Sequence, residues 1–460
     1  MLRIFGHYYS TSAIVLAVCE TTVVAFALFA AASYIVPSQD GNMARYLTAA
    51  LVPALVNAVL MYSMGLYDPQ HVTNFRRALP PLIASLCIGA ALLGRSLVFG
   101  QTGGSEALLL YGAWAAFVIA SIVFARMVVM PFTRSQFPAR RVLVVGAGRL
   151  AAEVEQMIAQ QAHPRTRIVG YVALNNETLE IPEARIKAND KSLVEIAREA
   201  GAKEIVVALD DRRGAPLKPL LDARMEGITI TSYPSFCERE TRRINPILLD
   251  PSWLIYADGF HVGSRTTQVL KRALDIVASL ALLVLTLPTL LLAALAIRLD
   301  SKGPVLYRQE RVGLRGAAFR IFKFRTMRVD AEVLSGPQWA SIGDPRVTRI
   351  GGFLRRMRID ELPQILNVLR GEMSFVGPRP ERPFFVTELA AQIPLYSERH
   401  RVRPGITGWA QINYPYGASI EDARMKLAYD LYYIKNFSCL FDLLIILSTA
   451  KAVFFNKGGR

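Results

Sequence analysis

The sequence predicts a membrane α plus α/β protein built in three parts. Three observations carry that prediction. Four apolar runs crowd the first 130 or so of 460 residues, a βαβ alternation with a glycine-rich turn follows, and a strongly basic segment closes the chain. The whole is 52% hydrophobic yet carries a formal charge of +16. Residues 1–140 hold 8 Lys/Arg against 4 Asp/Glu, residues 141–260 hold 16 against 17, and residues 261–460 hold 29 against 16. An apolar front, a neutral middle and a basic back exclude a single soluble domain, a disordered chain and a secreted disulfide scaffold. Cys19, Cys87, Cys237 and Cys439 form no CxxC pair, so they read as isolated thiols.

The apolar runs cover about 11–36 (interrupted by Glu20), 46–67, 78–94 and 107–125. A helix needs about 20 apolar residues to cross the hydrocarbon core, so residues 1–135 are expected to form four transmembrane helices. The run Ala30-Ala31-Ala32-Ser33 has the small side chains of a cleavage site. The preceding stretch is long for a signal peptide, however, and three more runs follow. Arg3, Arg76, Arg77, Arg126, Arg134, Arg140 and Arg141 gather on one side of these spans, against Arg45 and Arg95 on the other. The positive-inside rule then puts the N terminus and everything after residue 126 in the cytoplasm. Glu20 is either functional or a polar contact inside the bundle.

Residues 140–262 read as a Rossmann-like cytoplasmic domain. Arg141–Gly146 is a buried-strand pattern that runs into Gly146-Ala147-Gly148-Arg149-Leu150-Ala151, with a helix-forming stretch from Ala151 to Gln161. Such a turn can face bare backbone N–H groups toward phosphate. Further strands are expected at Ile168–Leu174, Glu204–Leu209 and Gly227–Ser232, with a helix at Ser192–Ala200. After the second strand stand Asn175 and Asn176, where a dinucleotide fold carries a ribose-binding acid. Three roles stay open for this domain: docking, dimerisation or regulation; a nucleotide or nucleotide-sugar effector site; and a nicotinamide cofactor site. No Tyr-x-x-x-Lys catalytic pair stands beside it.

Residues 276–297 contain no charge and are long enough to span. Lys271 and Arg272 precede them, Arg298 and Lys302 follow, and Pro288 sits in the middle. Proline removes a backbone donor and clashes one turn back. Crossing would also export a strongly basic stretch against the positive-inside rule. The helix over 273–298 is therefore expected to break at Pro288 and return to the face it entered, a re-entrant helix. The last apolar stretch, Phe437–Phe455, contains Asp442 and Lys451 and reads as interfacial.

The basic region 268–460 is expected to be a mostly helical catalytic domain. In Phe319–Met327 the alternation predicts a strand with Lys323 and Arg325 on one face and Phe322 and Phe324 on the other. Two such cations suit phosphate oxygens, Arg through its planar fork and Lys as a point charge. Asp360-Glu361-Leu362-Pro363-Gln364 reads as a helix start with Asp360 as N-cap, close to Arg355, Arg356 and Arg358. A carboxylate kept charged among arginines can attack phosphorus, and its neighbour can hold Mg²⁺. The other reading is a capping acid paired with nearby arginines. Gly377-Pro378-Arg379-Pro380 forms a rigid loop that offers Arg379. A nucleic-acid partner is disfavoured beside a membrane-embedded helix.

Residues 268–460 resemble the bacterial sugar transferase domain of the monotopic phosphoglycosyl transferases. The resemblance rests on Lys271-Arg272-x-x-Asp275, Phe322–Met327, Asp360–Gln364, Gly377–Pro380 and Arg403–Trp409, in that order. The four spans and the Rossmann-like domain are similar to the large members, the undecaprenyl-phosphate glucose or galactose phosphotransferases. The resemblance implies attack by Asp360 on a UDP-sugar, giving a phosphosugar–aspartyl intermediate and UMP, followed by transfer to undecaprenyl phosphate. It matches Glu361 to a Mg²⁺ ligand, and Lys323, Arg355 and Arg379 to substrate-phosphate contacts. Where the family often has Ser before the helix-breaking proline, this chain has Leu287. The alternative functions are a non-catalytic scaffold of polysaccharide assembly and a membrane-tethered dehydrogenase or epimerase. A homodimer is expected to be compatible with the accessory domain, and the charge of the last segment suits membrane lipids.

Overall fold

The computed structural model describes residues 11–35, 43–67, 78–83, 139–160, 166–174, 178–187, 191–211, 215–247, 257–260, 264–328, 346–415 and 419–454, with a few isolated positions besides. It combines helices with a parallel α/β sheet, and the chain divides into two compact units, mainly Tyr9–Thr241 and mainly Arg242–Arg460.

In the first unit, α1 (Thr11–Ile35) and α2 (Met43–Ser63) coincide with the first two apolar runs. They pack around Leu16, Val24, Ala54, Met61 and Leu66. Phe26 is 72% exposed and Leu55 58% exposed, so apolar side chains face outward as well as inward. The expected third and fourth spans fall largely outside the described residues. Glu20 is buried and accepts from Arg126 Nε at 2.7 Å. Of its two readings, the polar contact inside the bundle is the one observed. Burying either charge alone is costly, and the pairing offsets part of that cost.

The four-stranded sheet is β1 (Arg140–Val145), β2 (Thr166–Val172), β3 (Glu204–Val207) and β4 (Thr229–Ser232), in spatial order β2-β1-β3-β4 and parallel throughout. α3 (Arg149–Ala159), α4 (Leu193–Glu199) and α5 (Leu217–Met225) connect the strands. The run Arg-Val-Leu-Val-Val is a central strand because Val142, Leu143, Val144 and Val145 are all fully buried. α4 starts where Ser192 and Glu195 make a reciprocal capping box. The helix α5 was not anticipated from its sequence, Leu-Lys-Pro-Leu-Leu-Asp-Ala-Arg-Met. Its internal proline and polar residues hide the two positions it buries, Leu220 and Ala223.

Gly146 at the turn has φ +120°, and a Cβ there would lie 2.3 Å from the Ala208 carbonyl oxygen. Only glycine fits. The free N–H groups of Arg149 and Leu150 at the start of α3 donate to Asp210 at 2.9 and 3.1 Å. A carboxylate from this chain thus occupies the place where the glycine turn would offer N–H groups to phosphate. Asn175 and Asn176 lie outside the described residues.

α6 (Tyr233–Thr241) closes the first unit, and the second is organised by α7 (Arg265–Asp300), a helix of 36 residues that continues through Pro288. Proline's fixed φ is helical, so its cost is one lost hydrogen bond and a clash rather than a helix end. The expected break into non-helical backbone at Pro288 is not observed. Lys271, Asp275 and Ser279 are buried near one end and Ala293 and Ile297 near the other. Between them Val284, Leu285, Leu291 and Leu292 are 65–78% exposed. This is the one described helix long and apolar enough to cross a membrane.

After α7 come the antiparallel hairpin β5 (Leu306–Val312) and β6 (Ala318–Phe324), then α8 (Arg349–Arg356). A 3₁₀ turn (Ile359–Gln364) leads into α9 (Ile365–Arg370). β7 (Ser374–Val376) pairs in parallel with β8 (Gly405–Thr407), with α10 (Pro383–Gln392) and a second 3₁₀ turn (Tyr396–Arg401) between them. α11 (Trp409–Asn413), α12 (Ile420–Lys435) and α13 (Cys439–Phe454) complete the unit. Its core gathers Trp409, Leu427, Leu431, Tyr432, Tyr433 and Phe441.

Candidate active site

The centre of the site is the 3₁₀ turn that carries Asp360 and Glu361. The chain enters it through Arg358 at φ 54°, a left-handed residue that reverses direction after α8. Asp360 is therefore not the N-cap. Arg358 holds that position, no side chain caps the turn, and both carboxylates lie within its first turn. The tight turn continuing into α9, rather than an α-helix beginning at Asp360, leaves both side chains available.

Lys323 projects from β6 toward this turn. Asn367 in α9 fixes the strand beside it: its Oδ1 accepts from Phe322 N at 2.9 Å and its Nδ2 donates to Arg320 O at 2.8 Å. A fully buried amide thus serves as a strand partner on the helix side. Nothing in the pattern Ile-Leu-Asn-Val-Leu distinguishes this asparagine except its polarity in an apolar run.

Glu361 receives two cations. Lys323 Nζ stands 2.9 Å from its Oε1, and Arg379 reaches Oε1 at 2.6 Å and Oε2 at 3.4 Å. Among the described residues Asp360 makes no hydrogen bond or ion pair of its own, though the charges of Lys323, Arg355 and Arg379 all act on it. Burial raises the Asp360 carboxyl to about 6, the Glu361 charge pushes the same way, and the three cations pull back. Burial also opposes ionisation of Glu361, but Arg379 and Lys323 outweigh it and hold Glu361 well below the usual carboxylate range. Burial lowers Lys323, with the Glu361 charge opposing. The adjacent acids thus differ: one is locked and held ionised by two cations, the other is unpartnered and raised by burial.

Arg355 is aimed by its own contacts. Its Nε donates to Thr326 Oγ1 at 2.8 Å, and Thr326 O accepts from Thr348 N at 3.0 Å. Thr348 caps α8 by accepting from Gly351 N. A Cβ on Gly351 would lie 2.1 Å from Thr326 O, so glycine permits this close approach.

Arg325 is not brought to the carboxylates. β6 ends at Phe324, and the buried Arg325 guanidinium donates to Ser301 O at 2.7 Å, Ser301 Oγ at 3.0 Å and Lys302 O at 3.0 Å. It caps the carbonyl-rich end of α7, where a cation opposes the helix dipole. Strand alternation would put it beside Lys323. The strand's end is what turns it away.

A divalent cation would find two adjacent hard carboxylates here, and no cluster of three His, Cys, Asp or Glu occurs among the described residues. That donor set suits Mg²⁺, which binds through one or two carboxylates while keeping waters and sharing phosphate oxygens.

An unpartnered acid and a cation-held acid thus lie side by side, with the charges of Lys323, Arg355 and Arg379 acting on them. A family model described as bacterial sugar transferase matches residues 266–456. The chain is 48% identical over 191 residues to an Aeromonas hydrophila UDP-N-acetylgalactosamine-undecaprenyl-phosphate N-acetylgalactosaminephosphotransferase, covering 42% of this chain and 45% of that one. It is 36% identical over 360 residues to an undecaprenyl-phosphate glucose phosphotransferase of Komagataeibacter xylinus, covering 75% and 65%. It is 45% identical over 215 residues to a UDP-glucose:undecaprenyl-phosphate glucose-1-phosphate transferase of Caulobacter vibrioides, covering 45% and 79%. The first two matches thus span about half and about two thirds of those relatives. The chain belongs to the bacterial sugar transferase family, a membrane-associated family.

Proposed function

We propose that this protein transfers a sugar 1-phosphate from a UDP-sugar to undecaprenyl phosphate, releasing UMP, as the first membrane step of exopolysaccharide or O-antigen synthesis. The observation that carries the reading is the asymmetry of the acid pair: Glu361 is gripped by Lys323 and Arg379, while Asp360 stands unpartnered beside them. A nucleophile needs a lone pair that is not spent on a cation.

In the first step an Asp360 carboxylate oxygen attacks the sugar-linked phosphorus. The bond from that phosphorus to the UMP oxygen breaks, and UMP leaves with the electron pair. In the second, a phosphate oxygen of undecaprenyl phosphate attacks the same phosphorus and the Asp360 carboxylate departs. Lys323, Arg355 and Arg379 counter the charge that gathers on the phosphoryl oxygens. Glu361, with Asp360 adjacent, would hold Mg²⁺. When bound, that ion supplies further positive charge against the diphosphate.

The membrane arrangement belongs to the same proposal. Residues 1–135 form four transmembrane helices, 140–262 a Rossmann-like accessory domain, and 268–460 the catalytic domain on the cytoplasmic face. α7 enters the membrane, bends at Pro288 while remaining helical, and returns to the same face. Buried Ser279 and Ala293, both packed within one unit, lie about 21 Å apart along a helix of 1.5 Å rise per residue. That is short of the roughly 30 Å needed to cross. The packing of both ends of α7 on a single unit supports a shallow path.

Purified protein in lipid nanodiscs with Mg²⁺ is expected to release UMP from at least one member of a UDP-sugar panel, and Asp360→Asn to abolish that release. Turnover by Asp360→Asn near the wild-type rate would sink the nucleophile assignment. Absence of UMP release across the panel would favour a non-catalytic scaffold.

A further inference from the structure

Arg379 is useful only if its backbone is held still, because its side chain is long and one-third exposed. The segment that carries it is fastened at four successive carbonyls. Pro378 O accepts from Gly405 N at 2.9 Å, Arg379 O from Arg399 at 2.9 Å, Pro380 O from Arg311 at 3.0 Å and Glu381 O from Val312 N at 2.9 Å. Two of these donors are backbone N–H groups of strand residues. The other two are guanidinium groups, and only Arg399 reaches the carbonyl of Arg379 itself.

Arg399 is built for this reach. It is 5% exposed, it stands 2.9 Å from the buried Asp430 carboxylate, and its NH1 donates to Tyr396 Oη at 2.7 Å. Its guanidinium carbon lies 5.2 Å from the centre of the Tyr396 ring. One planar fork therefore faces an acid on α12 and donates to a phenol on its own turn and to the carbonyl of Arg379. A buried ion pair is weak as a source of stability and strong as a specifier of geometry. The geometry it specifies here is the loop opposite Glu361.

We propose that Arg399, oriented by Asp430, is a positioning residue that sets where Arg379 meets the acid pair and the substrate phosphate. The phosphate half of this claim rests on the proposed function above, whereas the loop half does not.

The test uses the full chain in nanodiscs and two readouts. Arg399→Lys keeps the charge but loses the fork. It is expected to raise amide exchange across residues 377–382 at least tenfold, with exchange in the strand pair β5–β6 unchanged. For UMP release it should lower kcat/KM at least tenfold, mostly through KM. In an Arg379→Gln background it should cost less than a further twofold, since Arg399 then has nothing to position. Tyr396→Phe, which leaves the Arg379 carbonyl contact intact, should stay within threefold of wild type in both readouts. If Arg399→Lys does not fold, Asp430→Asn removes the charge that orients Arg399 and carries the same exchange and kinetic expectations. Unchanged exchange in 377–382, or a full tenfold loss added on top of Arg379→Gln, overturns the proposal. Exchange that rises as expected in a protein whose wild type releases no UMP upholds the clamp and refutes the functional reading instead.

Discussion

Lys271 Nζ lies 2.7 Å from Asp442 Oδ2, and the two residues join the start of α7 to α13 in a place closed to solvent. The sequence reading treated Asp442 as a polar mark of an interfacial helix. The structure turns it inward, where Tyr433 Oη also donates to it at 2.7 Å. Lys271 donates to Val376 O at 3.0 Å, and Asp275 accepts from Ser374 Oγ and Phe375 N at 2.9 Å each. Two apolar helices are thereby fixed to β7, the strand that leads into the Arg379 loop.

Lys271 also faces the buried Asp275 at 3.5 Å, so one cation serves two acids. Asp442→Ala removes the nearer acid but leaves Lys271 with Asp275 and is expected to cost about 1–3 kcal/mol. Lys271→Met takes the cation from both acids and is expected to cost more, about 3–5 kcal/mol. Denaturant unfolding of the two variants in detergent checks this, and a Lys271→Met no less stable than Asp442→Ala would count against it.

The rate of UMP release should follow the ionised fraction of Asp360. Its carboxyl titrates at about 6, so activity is full above pH 7 and falls about tenfold per unit as the pH drops below 6. Glu361→Gln removes the neighbouring negative charge that helps raise this group. The acid limb of its residual activity should move to lower pH, and a limb that stays in place would assign it to another group.

Asp360→Asn is expected to lose UMP release and gain stability at once. The folded carboxyl titrates above its unfolded value of 3.8, so its contribution to stability is present at low pH and lost as the pH rises through about 6. At pH 8 the amide avoids that cost, worth about 1–2 kcal/mol after allowing for partial exposure. Thermal unfolding at pH 3.5 and pH 8 should show nearly all of the gain at the higher pH, because the difference builds up between 3.8 and about 6.

Arg325→Ala should behave as a stability variant. Loss of three hydrogen bonds to Ser301 and Lys302 leaves the end of α7 uncapped and is expected to cost about 2–3 kcal/mol. The KM for UDP-sugar of the folded fraction should stay within about threefold of wild type. Lys323→Met, by contrast, should raise it severalfold at unchanged thermal stability.

Asp210→Ala removes the acceptor for two N–H groups at the start of α3. A loss of about 1 kcal/mol is expected in the unfolding of the accessory domain. The same substitution should leave the protein without nicotinamide absorbance, as the wild type is expected to be.

How far the sequence carried the reading differs from place to place. The sheet was legible because Val142–Val145 form an unbroken apolar run and Gly146 and Gly148 mark the turn. Lys323, Arg355, Asp360, Glu361 and Arg379 could be picked out because each is charged within a short, rigid motif. Arg325 could not be told from Lys323, since both lie on the same side of an ideal strand and only the strand's end separates them. Asn367, Arg399 and Asp430 carry no such mark, and the partners of Asp442 were equally hidden. Asn367, Asp430 and Asp442 are polar side chains in apolar runs and Arg399 is one cation among several in a charged turn, and neither pattern reveals a partner.

By itself, then, the sequence determined the ordered parts of this protein: apolar helices, a parallel sheet, a basic segment and five charged residues, three cations and two acids, set in short motifs. These follow from local composition and spacing, which govern burial and backbone geometry. Only the tertiary structure decided which acid is gripped and which is left unpartnered. That choice depends on Lys323 and Arg379 converging on Glu361 from segments 38 and 18 residues away, and no local pattern encodes such a distance.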